Sequence, residues 1–394
     1  MGTKRVSVGS IGSYFESLPD PRGTRNRKHL LVDIIVIAVC GVVCGCDGPT
    51  ALHRGATNRR EGRASLLKWP QGRPSKDGIR RVLIALTPEA FQARFRDRRA
   101  RAVRTDDGAP ARRVAIDGKT CRGSHDQAHG LGPLHLVSAW ATEDGIALGP
   151  VATDEKSNEI AAIPQLVKPI ELTDTVVTID AMGCQKEIAD RIVGDGGEFV
   201  IAVKDNQPKL LDAITAFVVD HLERDLRALK YRSHETTDAG HGRVDERSDF
   251  LTPVPPDFGP GAEWPWVKAI GYAVRITTRA DGTQTDDVRY YIASRYLSGK
   301  RFAQAVRSHW AIESMHGVLD VTFREDDTRT RERTLGNNLS GLRRFAVSML
   351  KRHTITDSIR GQMLRCLMNT EFLTEVLSSP DADPIELKRP GRAW

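Results

Sequence analysis

Residues 112–123 read Arg-Arg-Val-Ala-Ile-Asp-Gly-Lys-Thr-Cys-Arg-Gly, and residues 175–185 read Thr-Val-Val-Thr-Ile-Asp-Ala-Met-Gly-Cys-Gln. Each carries a short apolar run that ends in an aspartate, Asp117 or Asp180. Runs of that length, bounded by glycine and polar residues, predict strands. Outward from them, Leu134–Trp140 and Ile146–Ala152 predict two more strands joined by an Asp144-Gly145 turn. Asn158–Val167 and Cys184–Val193 predict helices, and Glu198–Val203 another strand. Three strands, helix, strand, helix, strand is an α/β order, with a partly parallel sheet covered by helices on both faces. In such sheets chemistry gathers at strand ends near points where strand order reverses. Both aspartates stand at the C-terminal ends of predicted strands. An aspartate there is also a common turn or cap residue, so neither identifies a site alone.

The flanking segments read differently. Residues 1–105 predict an N-terminal helical domain. It holds an apolar helix at Leu30–Cys46, a helix introduced by Ser75 as N-cap, and a basic helix at Pro88–Arg104 carrying Arg94, Arg96, Arg98, Arg99 and Arg101. Short arginine-rich helices fit a helix-turn-helix DNA-binding unit or an ordinary bundle with a solvated basic face, and both readings stay open. Residues 106–210 are expected to form the first part of the α/β core. Residues 211–290 hold Pro253, Pro255, Pro256, Pro260 and Pro265, then a hairpin about Ala280-Asp281-Gly282, and predict a β-rich insertion. Residues 291–394 complete the core. There a helix at Lys300–Val321 has Phe302, Ala305, Val306, Ile312 and Leu319 as its apolar stripe, with His309, Glu313, His316 and Asp320 on a neighbouring face. A second helix at Asn338–Arg352 should turn Leu342, Phe345 and Met349 inward and Arg343 and Arg344 outward. The acidic run Glu325-Asp326-Asp327, among Arg324, Arg329 and Arg331, reads as a solvated, salt-bridged segment.

Composition narrows the function classes. Hydrophobic residues at 40% and charged residues at 28% suit a soluble globular protein and exclude a disordered one. A net charge of +7 suits a polyanionic partner without requiring one. Cys40, Cys44 and Cys46 lack a second Cys/His pair, which argues against zinc and for buried, reduced thiols in a cytoplasmic protein. The apolar stretch Ile34–Cys46 is too short to span a bilayer, so no membrane association is expected. Glu313-x-x-His316 has no second copy, which argues against a di-iron bundle.

Phosphodiester transfer asks a protein chiefly for geometry and charge neutralisation. Two divalent cations about 4 Å apart can activate the attacking oxygen and stabilise the leaving one. Mg²⁺ takes oxygen ligands, commonly a few carboxylates plus substrate phosphate. Asp117 and Asp180 meet that need if their strands are neighbours. Glu313 is the best candidate for a third acid, with the Glu325 run as its competitor. Gly118 lets backbone approach a ligand, while Lys119 and Arg122 can contact phosphates. Lys204 and Asn206, at the end of the following strand, suit a DNA backbone, although a solvated loop would look the same. His309 serves equally as a packing residue or as a DNA or metal-water contact, and Trp310 is expected to be buried.

Seven segments occur in order: AIDGKTCRGS, LHLVSAW, DEKSNEIAAIP, TIDAMGCQKEIA, VKDNQP, HGRVDER and RSHWAIE. Together they resemble the H-repeat-associated (ISAs-type) insertion-sequence transposases, a family of DDE enzymes. The likeness runs from FESLPDPRGTRNRKHLLVDI to NNLSGLRRFAVSMLK, most of the chain. It implies an RNase H-like mixed sheet flanked by helices and interrupted by a β-rich insertion. It also implies a DNA transposase that cuts and joins element ends with Mg²⁺, or Mn²⁺ in its place, at a two-metal site. Carried over by motif, the three acids, catalytic and metal-binding alike, are Asp117, Asp180 and Glu313. The expected DNA contacts are Lys119, Arg122, Lys204, Asn206, Arg307 and His309. The partners are terminal-repeat and target DNA, bound by a homodimer, in a nucleoid-associated cytoplasmic protein. Two departures stand beside the third acid. The family has Asn after HWAIE and Trp after the next His, where this chain has Ser314 and Gly317. Gly317 costs its helix about 1 kcal/mol relative to alanine. The broader pattern has Tyr, Arg and Lys where Val306, His309 and Asp320 stand here. A catalytically idle DNA-binding protein and a nuclease on the same core are the alternatives.

Overall fold

The computed structural model describes residues 9–58, 72–96, 112–153, 159–223, 229–240 and 242–378. The strands are β1 (Arg112–Cys121), β2 (Leu134–Ala141), β3 (Ile146–Thr153), β4 (Thr175–Ile179), β5 (Glu198–Val203), β6 (Arg232–Gly240), β7 (Arg243–Pro253), β8 (Ala269–Arg279) and β9 (Gln284–Ala293). They form one mixed sheet in the order β3-β2-β1-β4-β5-β9-β8-β7-β6. β1 pairs antiparallel with β2 and parallel with β4, and β4 pairs parallel with β5. The parallel step follows from the crossover helix α7 (Lys186–Gly194), because a tight turn cannot join parallel strands.

Alternation along the strands feeds two cores. Val114 and Ile116 of β1, with Val177 and Ile179 of β4, pack on one face against α6 (Glu159–Val167), α7 and α8 (Pro208–Glu223). Ala115, Trp140 and Ala147 turn to the other face, against α9 (Gly299–Val321) and α10 (Arg333–Arg352). That second core is continuous with the N-terminal helices α1 (Gly9–Ser13), α2 (Leu31–Val43), α3 (Pro49–Asn58), α4 (Lys76–Ala85) and α5 (Pro88–Arg96), and with α11 (Ile359–Met368) and α12 (Thr370–Ser378). Polar contacts reinforce the junction. Asn338 of α10 donates to the Leu83 and Leu86 carbonyls at 2.7 and 2.8 Å, where α4 ends and has no further turn to receive them. Ser75 caps α4 as expected, its Oγ accepting from Gly78 N at 3.1 Å. The expected basic helix is described as far as Arg96, so Arg98, Arg99 and Arg101 lie outside the described residues.

Three expectations change. β1 does not stop before Asp117 but runs on to Cys121, paired with β2 throughout. Residues 208–223 are helical, and the strand-rich segment after them extends the core sheet, β9 pairing directly with β5. Arg343 and Arg344 of α10 are buried, 3% and 1% exposed, where the helical pattern turned them outward. The reason is Glu325, also fully buried, from a turn that folds back beneath α10. Arg344 donates to Glu325 Oε1 at 3.0 Å and to Ser138 Oγ at 2.9 Å. The acidic run is therefore divided: Asp327 is exposed and paired with Arg324 at 2.8 Å, as expected, but Glu325 is a core counter-ion.

Candidate active site

Parallel pairing of β1 with β4 ends at Ile116 opposite Ile179, so the next residues, Asp117 and Asp180, emerge side by side. Asp117 stays in the sheet, opposite Ser138 of β2, while Asp180 opens the 3₁₀ turn Ala181–Gly183. α9 crosses this edge. Its Glu313 enters an open cleft of about 420 Å³ that Asp117 and Asp180 also line, together with His309, Lys204 and Arg289. Three acids from three separate elements thus face one volume. Among the described residues, no three His, Cys, Asp or Glu side chains are drawn together tightly enough to form a preassembled metal-binding group.

Two histidines of α9 act as struts to the aspartate strands. His316 Nδ1 stands 3.3 Å from Asp117 Oδ2, and His309 Nδ1 stands 3.4 Å from Thr178 Oγ1 on β4. Asp117 Oδ1 accepts from Gly118 N at 2.8 Å. Burial pushes the Asp117 carboxyl up, but His316, His309 and the Gly118 amide together outweigh it and hold the group below its ordinary value. Asp180 and Glu313 are raised, first by burial and next by the Asp117 charge. Burial lowers His309 despite the two aspartates, which pull the other way. The cleft therefore holds one firmly ionised carboxylate and two whose ionised forms gain from an added cation.

The expected DNA contacts divide. Lys204 is exposed and lines the cleft, and Arg122 is exposed at the end of β1 with its Nε 3.5 Å from Asp326. Asn206 donates to the Ala181 carbonyl at 2.6 Å and so ties the loop after β5 to the turn after Asp180. Arg307 bonds Thr236 of β6, which seats α9 on the outer strands and takes this arginine out of the cleft. Lys119 is enclosed, its Nζ 2.6 Å from Asp320, 2.8 Å from Asp326 and 3.7 Å from Glu325. The expectation of a phosphate contact fails for Lys119, because its charge is already met. Trp310 is 40% exposed and not buried, with the Arg289 guanidinium 4.9 Å from its ring centre.

Sequence reasoning passed over Arg289, an alternating position on β9 with no local mark of function. It also passed over the buried pair beneath Gly118. His135 Nε2 lies 2.7 Å from Glu159 Oε1, and its Nδ1 lies 2.8 Å from Thr120 Oγ1. A Cβ at position 118 would stand 2.7 Å from His135 Nε2 and collide with the Glu159 carboxylate. Gly118→Ala is therefore expected to cost about 1–3 kcal/mol. The check is thermal unfolding, where a midpoint several degrees lower is expected; a wild-type midpoint would contradict this close approach.

Comparisons with known proteins give the family. The model of the Transposase DDE domain matches residues 108–339, and that of the DDE_Tnp_1-associated domain matches residues 13–97. The chain belongs to the DDE transposase family. Within it the relatives include H-repeat-associated proteins. YhhI of Escherichia coli strain K12, which carries that name, is 32% identical over 379 residues, 95% of this chain and 99% of that protein. YncI of Escherichia coli O157:H7, which carries a transposase name, is 35% identical over 380 residues, 95% of this chain and 96% of that protein. Among solved structures, a piggyBac transposase synaptic complex with hairpin DNA aligns with 97% of this chain and 83% of that one. Identity there is 8% and the TM-score 0.43, below the level that fixes a common fold.

Proposed function

We propose that this transposase cuts phosphodiester bonds at the ends of an insertion sequence and joins them to target DNA, with Asp117, Asp180 and Glu313 as its three acids. The convergence of those acids from β1, β4 and α9 on one cleft carries the reading. The order β3-β2-β1-β4-β5, with β1 antiparallel to β2 and parallel to β4, supports an RNase H-like core. On this view residues 1–105 are a DNA-binding unit, 106–210 and 291–394 the two parts of the core, and 211–290 an insertion that widens the sheet. Among the described residues no helix is long and apolar enough to cross a membrane, and a nucleoid-associated protein acting on DNA as a homodimer fits the reading.

The donors on the three acids are all oxygen, the set that suits Mg²⁺ or Mn²⁺. Bound there, divalent cations would lower the cost of forming the attacking oxyanion and of releasing the leaving one. The chain's own residues supply the rest. His316 and the Gly118 amide fix the orientation of the Asp117 carboxylate, Asn206 holds the turn that bears Asp180, and α9 carries Glu313 across the gap. Lys204 and Arg289 place positive charge on the cleft wall, where a phosphate backbone would lie.

The test is incubation of the full chain with labelled DNA carrying the element ends, a target plasmid and Mg²⁺ or Mn²⁺. Joined products are expected. Nicks without joining would make it a nuclease on the same core, and DNA retention without cutting would make it an idle DNA-binding protein. Trp310, exposed on the cleft wall, offers a flat surface to an unpaired base. Trp310→Ala is expected to weaken binding of single-stranded DNA by about 1–3 kcal/mol. Unchanged affinity in a filter-binding titration would remove that role.

A further inference from the structure

Asp117 and Lys119 are two residues apart on β1, so their side chains leave the same face, about 6.7 Å apart along the strand. His316 and Asp320 are four apart on α9 and also share a face, about 6 Å apart along the helix. The two spacings match, and the residues meet as parallel rungs. His316 Nδ1 stands 3.3 Å from Asp117 Oδ2, and Asp320 Oδ1 stands 2.6 Å from Lys119 Nζ. A third contact, Arg113 Nη1 to Gln304 Oε1 at 3.3 Å, continues the ladder towards the start of both elements. Glu313 lies three residues before His316 on the same helix face.

The Asp117 rung belongs to the proposed chemistry, so it cannot hold the helix independently of the site. The Lys119 rung can. Its side chain is 7% exposed, does not line the cleft, and meets two further carboxylates, Asp326 at 2.8 Å and Glu325 at 3.7 Å, in the turn that follows α9. Glu325 in turn binds Arg344, which donates to Ser138, the residue paired with Asp117 across the sheet. Lys119 thus links α9, the turn after it and the strand bearing Asp117 through contacts that lie behind the cleft.

We propose that Lys119 is a positioning residue. Through Asp320 it sets the axial register of α9 on β1, and so the place of Glu313 relative to Asp117. A slip of one residue would rotate α9 by about 100° and carry Glu313 away from the cleft. The inference rests on the transposase reading above, with Asp320 serving this chain as the partner of an internal lysine.

The test uses Asp320→Asn in the full chain, which leaves Asp326 and Glu325 to satisfy Lys119 and so spares the fold. Nicking of supercoiled plasmid with Mg²⁺ or Mn²⁺ is expected to fall roughly 10–100-fold at saturating DNA, as displaced catalytic groups do. Asp320→Glu should recover most of the rate. Affinity for a labelled DNA duplex, and its salt dependence, should not change. Amide hydrogen exchange along α9, measured without metal or DNA, should rise in Asp320→Asn and return in Asp320→Glu. Wild-type nicking or wild-type exchange in Asp320→Asn would overturn the proposal. So would a salt slope lowered by about 0.9 in Lys119→Met, the mark of a lost phosphate contact. A wild-type chain that never nicks DNA would instead overturn the functional reading, and the exchange experiment would still decide the register claim.

Discussion

Asp117→Asn is expected to abolish metal-dependent DNA cleavage, a loss on the order of 10³-fold or more, while DNA affinity stays close to wild type. The substitution keeps volume and shape, and the asparagine oxygen can still accept from Gly118 N, so β1 has no reason to move. What it removes is the one carboxylate of the cleft that its surroundings hold firmly ionised. A neutral amide neither attracts a divalent cation as strongly nor offers His316 a charged partner. Glu313→Gln should give the same phenotype from a different element. The measurement is single-turnover cleavage of element-end DNA alongside a binding titration. Wild-type cleavage by either variant would end the assignment of the three acids.

Arg344→Met should produce the largest loss of stability, about 3–5 kcal/mol, because it leaves Glu325 buried without its nearest counter-ion. Set against a typical net stability of about 5–15 kcal/mol, such a loss brings the chain near the edge of unfolding. Chemical denaturation should register it as a lower midpoint. The double variant Arg344→Met/Glu325→Gln should recover part of the loss, since neither charge then remains stranded. A wild-type midpoint for the single variant would refute the network.

The same pair predicts an acid limb. Burial pushes the Glu325 carboxyl up, but Arg344, Arg343 and Lys119 outweigh it and hold it at about 2, against an ordinary 4.5. A depressed folded-state value means that the stabilisation is complete above about pH 4.5 and is lost as pH falls from there towards 2. Glu325→Gln should flatten stability across that window. An unchanged acid profile in this variant would show that other groups govern it.

The two predictions differ in how far a reader of the sequence could have anticipated them. Asp117 and Asp180 are legible because apolar runs of strand length end on them; that β1 and β4 are parallel neighbours, joined through β2, β3 and α6, is shown by the sheet. The stripe of α9 is equally legible, since hydrophobic periodicity is a local property and Phe302, Ala305, Ile312 and Leu319 do face inward. Arg344 is not. Periodicity ranks an arginine as outward unless a counter-charge is known, and its partner Glu325 lies 19 residues away in a turn whose path no local rule describes. Lys119 misleads for the same reason. Beside an aspartate and a glycine it reads as a phosphate contact, and only the fold brings the three carboxylates that occupy it. Trp310 errs the other way, its hydrophobicity suggesting burial where a charged neighbour on β9 covers only part of the ring.

The amino-acid pattern by itself determined the α/β class, the strands that bear Asp117 and Asp180, the helix that bears Glu313, and membership of a transposase family. These depend on short-range periodicity and on motif order, which survive without knowledge of contacts. Only the tertiary structure decided that the three acids share one cleft, that residues after α8 extend the same sheet, and that Lys119, Arg343 and Arg344 are interior charges. Burial of a charge is set by the partner that arrives from a distant part of the chain, because the cost of desolvating either one is met only when both are in place.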